Sequence, residues 1–167
     1  MIDPTDLPAP AGFGFPFTDY PGNTAAITVG IAGQARYRRC IEGGTISKVG
    51  FHVAVTSGFV SVAVFRNTGA GRAGKPGALL AASAAVACPG VGYGEVALGA
   101  TVTVKAGDWL AISVDNTTAT FTGITGATAS ALFNGMAYSK VTEHPIVTDT
   151  PAVVTEANRL INLIGIA

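Results

Sequence analysis

Short runs in which apolar and polar residues strictly alternate recur along most of this chain, and each predicts a β-strand with one buried face. Ile27, Val29 and Ile31 alternate with Thr28 and Gly30, and Val49, Phe51, Val53 and Val55 alternate with Gly50, His52 and Ala54. Ser57-Gly58 then predicts a tight turn, and Val60, Val62 and Val64 continue the pattern, so residues 45–67 are expected to form a hairpin. Val102 and Val104 face one way and Thr101, Thr103 and Lys105 the other. Ala106-Gly107-Asp108 turns the chain into Trp109 to Asp115, where Leu110, Ile112 and Val114 alternate again, and a second hairpin is expected. Thr118, Thr120 and Thr122 alternate around Ala119 and Phe121, as suits a half-exposed face. The last run, Arg159 to Ile166, is apolar at most positions and is expected to be one strand buried on both faces.

Helical signals are thin. Leu79 to Ala87 is alanine-rich, but it is short, has no polar face and is closed by Pro89-Gly90. Residues 142–157, with His144-Pro145 and Thr150-Pro151, read as a long connection. Residues 1–22 differ from the rest: Pro4, Pro8, Pro10, Pro16 and Pro21 break any ladder, while Phe13, Phe15, Phe17 and Tyr20 need a surface to cover them. The expectation is an extended arm that folds over an edge of its own sheet or reaches a neighbouring subunit. Residues 23–167 then form a single domain, all-β, an antiparallel β-sandwich of jelly-roll-like type.

Composition changes this picture in one respect. Asp, Glu, Lys and Arg make up 12% of the 167 residues, where about 25% is usual in soluble proteins. Ten acidic residues cancel ten basic ones, the pI is about 6.7 and the mean hydropathy is +0.46. A hydrophobic fraction of 49% excludes a solvated coil, and the balanced charge argues against nucleic acid as a partner. The first residues, Met1-Ile2-Asp3-Pro4-Thr5-Asp6, have neither the basic nor the apolar part of a secretory signal, and the longest apolar stretch is far short of a membrane span. Synthesis in the cytoplasm, with no membrane partner, is expected.

The candidate chemistry is sparse. Gly69, Gly74 and Lys75 reproduce the spacing of a phosphate-binding loop, but Pro76 stands where a Ser or Thr must ligate the metal. His52 lies on a strand with its side chain expected on the outer face, and His144 lies in a loop. Neither has a nearby carboxylate or cysteine in sequence to make a triad. Asp108, Asp115 and Asn116 could supply oxygens to calcium, yet residues of this kind more often cap turns. Cys40 and Cys88 are too few for a disulfide framework or a zinc site. The expectation is no enzyme, no cofactor and no metal. In the basic cluster, Arg36 and Arg38 share one strand face while Tyr37 and Arg39 share the other, which suggests either protection of a sheet edge or pairing with carboxylates of a neighbouring subunit. Candidate interface residues are therefore Phe13, Phe15, Phe17, Tyr20, Arg36, Arg38 and Arg39.

Four segments carry a resemblance: Gly44-Thr45-Ile46-Ser47-Lys48-Val49-Gly50-Phe51, Val62-Ala63-Val64-Phe65-Arg66-Asn67, Gly74-Lys75-Pro76-Gly77-Ala78-Leu79-Leu80-Ala81 and Lys105-Ala106-Gly107-Asp108-Trp109-Leu110-Ala111. Together they make the stretch from Gly44 to Phe121 resemble a β-sandwich module of virion proteins of tailed bacteriophages. The resemblance implies a structural virion protein, most concretely a decoration protein that sits on the outer capsid as a homotrimer, contacts the major capsid protein or other virion subunits, and stabilises the head. The alternative it implies is a receptor- or glycan-binding module of a tail fibre or spike, in which Trp109, Tyr93 or Tyr138 would stack on sugars.

Overall fold

The computed structural model describes residues 12–13, 24–29, 31–40, 42–69, 74–125, 137–140, 143–147, 154–155 and 159–167. Among them are fourteen strands and no helix. The strands form two seven-stranded antiparallel sheets, packed face to face as a β-sandwich.

The first sheet is built around β4 (Gly44–Val55), which pairs along its length with β8 (Gly92–Val104) on one side. On its other side lie β14 (Ile164–Ile166) and β10 (Thr120–Thr125). β10 in turn pairs with β2 (Thr24–Thr28) and β13 (Arg159–Ile161), and β1 (Gly12–Phe13) closes on β14. The second sheet runs β12 (Val154–Thr155), β11 (Ala137–Lys140), β3 (Ala35–Arg39), β9 (Trp109–Val114), β5 (Phe59–Thr68), β6 (Lys75–Ala82), with β7 (Val86–Ala87) also on β5. Leu79 to Ala87 thus spans the end of β6 and all of β7, with no helix between them. The chain changes sheet at most of its connections, which gives the sandwich its jelly-roll-like character.

Two expected hairpins are corrected. β4 and β5 lie in different sheets, and so do β8 and β9. Each turn is an arch that carries the chain across the sandwich. Alternation cannot distinguish the two cases, because it shows that a face is buried and not whether the next strand lies beside it or opposite it. Here the apolar faces meet head on: Val49, Phe51 and Val53 of the first sheet and Val60, Val62, Val64, Leu110, Ile112 and Val114 of the second belong to one buried cluster. Phe51 and Phe121 meet edge to face at 5.5 Å. Full burial of such side chains stabilises by about 1.5–3 kcal/mol each.

The second sheet is buried on its far side as well. Ala35, Tyr37, Ala63, Phe65, Trp109, Ala111 and Ile146 form a separate cluster there, so every residue of β3 and β9 is buried. The final run is not one strand. It breaks at Asn162-Leu163 into β13 and β14, which pair with different neighbours. Ile161 and Leu163 are buried, but Ile164 and Ile166 are only half-buried, because they lie on the outer face of a sheet with one inner face.

Candidate functional site

The candidate interface residues fall in two groups. Phe15, Phe17 and Tyr20 lie outside the described residues, as does the Phe13 side chain. Gly12 and Phe13 pair with Ile166 and Gly165. Arg36, Arg38 and Arg39 are inside the chain, all less than a tenth exposed. β3 is an interior strand between β11 and β9, so protection of an edge is not their role. The split between faces holds. Arg36 donates from Nε to the Val29 carbonyl at 2.7 Å and from Nη2 to Gln34 at 2.9 Å. Arg38 donates to Asn162 at 3.0 Å. On the other face Arg39 donates to the Gly74 carbonyl at 2.6 Å, with its guanidinium 4.5 Å from the centre of the Trp109 ring. None of the three presents its guanidinium at a solvent-facing rim, and the contacts just described are all with this chain.

The polar residues singled out by sequence cap turns. The buried Asp108 carboxylate accepts from Arg66 Nη1, from the Asn67 amide at 2.9 Å and from the Lys105 amide at 2.8 Å. Trp109 donates to Asn67 at 3.0 Å, which fixes the fully buried indole. Asn116 Oδ1 accepts from the amides of Thr118 and Ala119. Asp115 accepts from the Phe59 amide and from Asn116, and these bonds hold its pKa below the ordinary carboxylate value. Among the described residues no group of three His, Cys, Asp or Glu could hold a metal ion, and no helix is long and apolar enough to cross a membrane.

One pairing was not foreseen from sequence. His144, which precedes a cis Pro145, places Nδ1 3.0 Å from Ser113 Oγ. Ser113 is fully buried on a central strand, so its hydroxyl has no open side from which to attack a substrate. Residues 31 apart in sequence meet here because the 143–147 segment lies over the far face of the second sheet, with Ile146 donating its amide to Ser61 Oγ at 3.2 Å. Flanking the 69–75 segment, Asn67 and Thr68 pair with Pro76 and Lys75 of β6, and residues 70–73 lie outside the described residues.

The surface distinguishes the two ends of the sandwich. Hydrogen bonds from Gly33 to Val114, Cys88 to Gly58, Asp115 to Phe59 and Glu143 to Gly33 gather residues 31–34, 55–59, 86–91, 115–119 and 143–147 at one end. That end carries Ile31, Val55, Phe59, Val86, Val91 and Val147, all exposed, Val91 and Val147 by more than two thirds. Among the described residues there, Asp115 is the exposed charged side chain. The opposite end, where Cys40 exchanges backbone hydrogen bonds with Asp108 and Gly107, exposes Glu42, Thr68, Lys75 and Lys105 instead. Sequence offered a faint signal for this: Phe59 is out of phase with Val60, Val62 and Val64, and such a residue beside a turn faces away from the main core.

A second surface lies on the outer face of the first sheet. Tyr93 of β8 stands opposite His52 of β4, Glu95 opposite Gly50 and Ala97 opposite Lys48. Lys48 Nζ is 2.9 Å from Glu95 Oε2, and Thr122 Oγ1 is 3.1 Å from His52 Nδ1. Tyr93 is 53% exposed, whereas Trp109 is fully buried and the Tyr138 side chain lies outside the described residues.

No protein-family model matches this chain, and none of the curated proteins does.

Proposed function

We infer that this chain is a non-enzymatic structural protein of a tailed-bacteriophage virion, a decoration protein that oligomerises on the outer capsid surface, as a homotrimer, and stabilises the head. The observation that carries the assembly part of this reading is the apolar end. Monomeric proteins seldom gather large exposed apolar side chains in one place unless a partner covers them, and here Ile31, Val55, Phe59, Val86, Val91 and Val147 share one end with a single exposed charge among the described residues. Charge poverty supports the same reading, since interface centres are depleted in charged residues. A non-catalytic role is supported by the burial of Ser113 beside His144 and by the engagement of the Asp108 and Asp115 carboxylates in turns. The assignment to a virion rests on the resemblance of residues 44–121.

Light scattering on the purified chain, followed by imaging of particles assembled with it, tests the reading. The expected result is a trimer that Phe59→Asp with Val147→Asp dissociates, and density on the head that the double variant fails to supply. A monodisperse monomer, or density confined to the tail, overturns it.

A further inference from the structure

We propose that the outer edge of β8 is a pairing surface for β8 of a second copy, so that two sandwiches join their first sheets edge to edge, antiparallel, about a two-fold axis centred on Gly94. The contact lies on a different part of the chain from the apolar end and stands whether or not that end forms a trimer.

Among the described residues β8 pairs with β4 alone. Alternate residues of a paired strand turn their amide and carbonyl groups away from the partner. Half of those from Gly92 to Ala97, which pair with Val53 to Lys48 without interruption, are therefore aimed past the edge of the sheet. Such a row is a template for another strand unless lysine, proline, bulges or short length blunt it. The edge strand of the second sheet is blunted: β6 opens on Lys75-Pro76, and its register against β5 shifts twice. β8 runs for 13 residues and has neither lysine nor proline. Its charged residue, Glu95, is neutralised by Lys48 at 2.9 Å. Its irregularity falls between Ala97 and Val102, where β8 advances five residues while β4 advances two, and this leaves Gly92 to Ala97 regular. In that stretch Tyr93, Glu95 and Ala97 are exposed while Gly94 and Val96 are buried, so a strand added alongside extends the inner and outer faces together.

The residues of β8 select a second copy as the occupant and set the register. About a two-fold axis normal to the sheet, residues of the same face meet, and within the regular stretch the centres Gly94 and Glu95 each pair five residues of one strand with five of the other. Centring on Glu95 sets one carboxylate directly against its copy, which is destabilising. Centring on Gly94 sets Tyr93 opposite Glu95 of the second copy, twice over, a phenol donor against a carboxylate acceptor. It also sets Val96 opposite Gly92, which has no side chain to crowd it. With ten acidic and ten basic residues, two copies approach without net repulsion. So short a ladder is a small contact of the weak class, suited to linking copies that are already crowded together.

Disulfide trapping tests this. In a Cys88→Ala background, Val91→Cys and Ala97→Cys place thiols at positions that face each other in this register. The Cα spacing of an antiparallel pair, about 4.5–5.5 Å, lies within the reach of a disulfide, and both side chains are exposed. On mild oxidation an equal mixture of the two variants should give the mixed dimer as its main product, and either variant alone should give little. Tyr93→Glu in both partners opposes carboxylates twice across the axis and should cut the yield about tenfold. Adding Glu95→Lys should restore it, which separates repulsion from misfolding. The mixed dimer should persist when Phe59→Asp and Val147→Asp remove the apolar-end contact, so failure of that contact is read apart from failure of this one. No mixed dimer, a predominance of either homodimer, loss of the product with the apolar-end substitutions, or an equal yield when Thr68→Cys at the polar end replaces Ala97→Cys overturns the proposal.

Discussion

Arg38 Nη1 lies 3.0 Å from Asn162 Oδ1, a hydrogen bond that crosses the sandwich from the inner face of β3 to the break between β13 and β14. Both side chains are buried. Asn162 also donates its amide to the Thr122 carbonyl at 3.1 Å, so the bond ties the last strands of the first sheet to the centre of the second. A guanidinium between two apolar sheets is costly unless its donors are used, and the same charge that was expected at a subunit rim instead fixes how the two layers sit on each other.

Arg38→Met should therefore destabilise the fold by about 1.5–3 kcal/mol, because it leaves the Asn162 carbonyl oxygen buried without this donor. Pairing it with Asn162→Leu removes both polar groups together and should restore part of the loss, by about 1 kcal/mol relative to the sum of the single changes. Urea unfolding of the four proteins of this cycle measures the coupling. Strict additivity would show that the bond contributes nothing to joining the sheets.

Asp108→Ala should cost about 2–4 kcal/mol. One carboxylate accepts from Arg66 and from the amides of Asn67 and Lys105, and its removal strands two backbone donors, one on β5 and one in the β8–β9 arch. Because Asn67 holds the Trp109 indole, tryptophan fluorescence in the native state should shift along with the unfolding midpoint. A lowered midpoint with unchanged native emission would confine the damage to the arch.

His144 should make the protein less stable as pH falls below neutral. Burial holds its pKa below the ordinary 6.5, against the opposing pull of Asp115 and of the Ser113 backbone. Near pH 7.5 folded and unfolded states both hold it mostly neutral. As pH drops through about 6.5 the unfolded state takes up the proton first, so stability falls until the lowered folded pKa is passed. Glu95 and Asp115 also have lowered values, but their contribution is lost below their ordinary values of 4.5 and 3.8, which separates the two windows. Unfolding midpoints at about pH 7.5 and pH 5 should converge in His144→Gln relative to the parent chain. An equal slope in both proteins would assign the loss elsewhere.

The sandwich was legible in sequence because its inner faces obey period two: Phe51, Val62, Ile112 and Phe121 are all buried where alternation places them. Sheet membership was not, since Ser57-Gly58 serves an arch as well as a hairpin. What distinguishes them is that Asn116 reaches the Ser57 carbonyl and Thr56 reaches that of Cys88, long-range bonds with no local signature. The second cluster behind β9 was half legible, in that Trp109 to Val114 is apolar almost throughout, as befits a strand covered on both faces. The arginines misled because a charged residue on an alternating strand is normally solvated, and only distant partners such as Asn162 and Gly74 make burial tolerable. Tyr93 was named as one candidate among three, and it took the fold to leave it exposed and bury Trp109.

The two cysteines should separate cleanly under alkylation, and the slow one should report how the polar end opens. Cys40 is 2% exposed, and burial, reinforced by the Asp108 charge and opposed by Arg38, pushes its thiol up to about 12. Cys88 sits half-buried in the turn region beside β7. Since the thiolate is the nucleophile, iodoacetamide at neutral pH should place a single carbamidomethyl group on Cys88 in the native protein and a second on Cys40 only in denaturant. Cys40 is bracketed by its own backbone bonds, its amide to the Asp108 carbonyl at 2.7 Å and its carbonyl to the Gly107 amide at 2.8 Å, so exposure of the thiol requires that bridge to break. Asp108→Ala loosens the same arch and should accelerate Cys40 labelling by more than its loss of global stability accounts for, if the arch opens as a local unit. Acceleration matching the global loss would mean instead that the thiol is reached only by unfolding the whole sandwich, and that the β8–β9 arch has no independent motion.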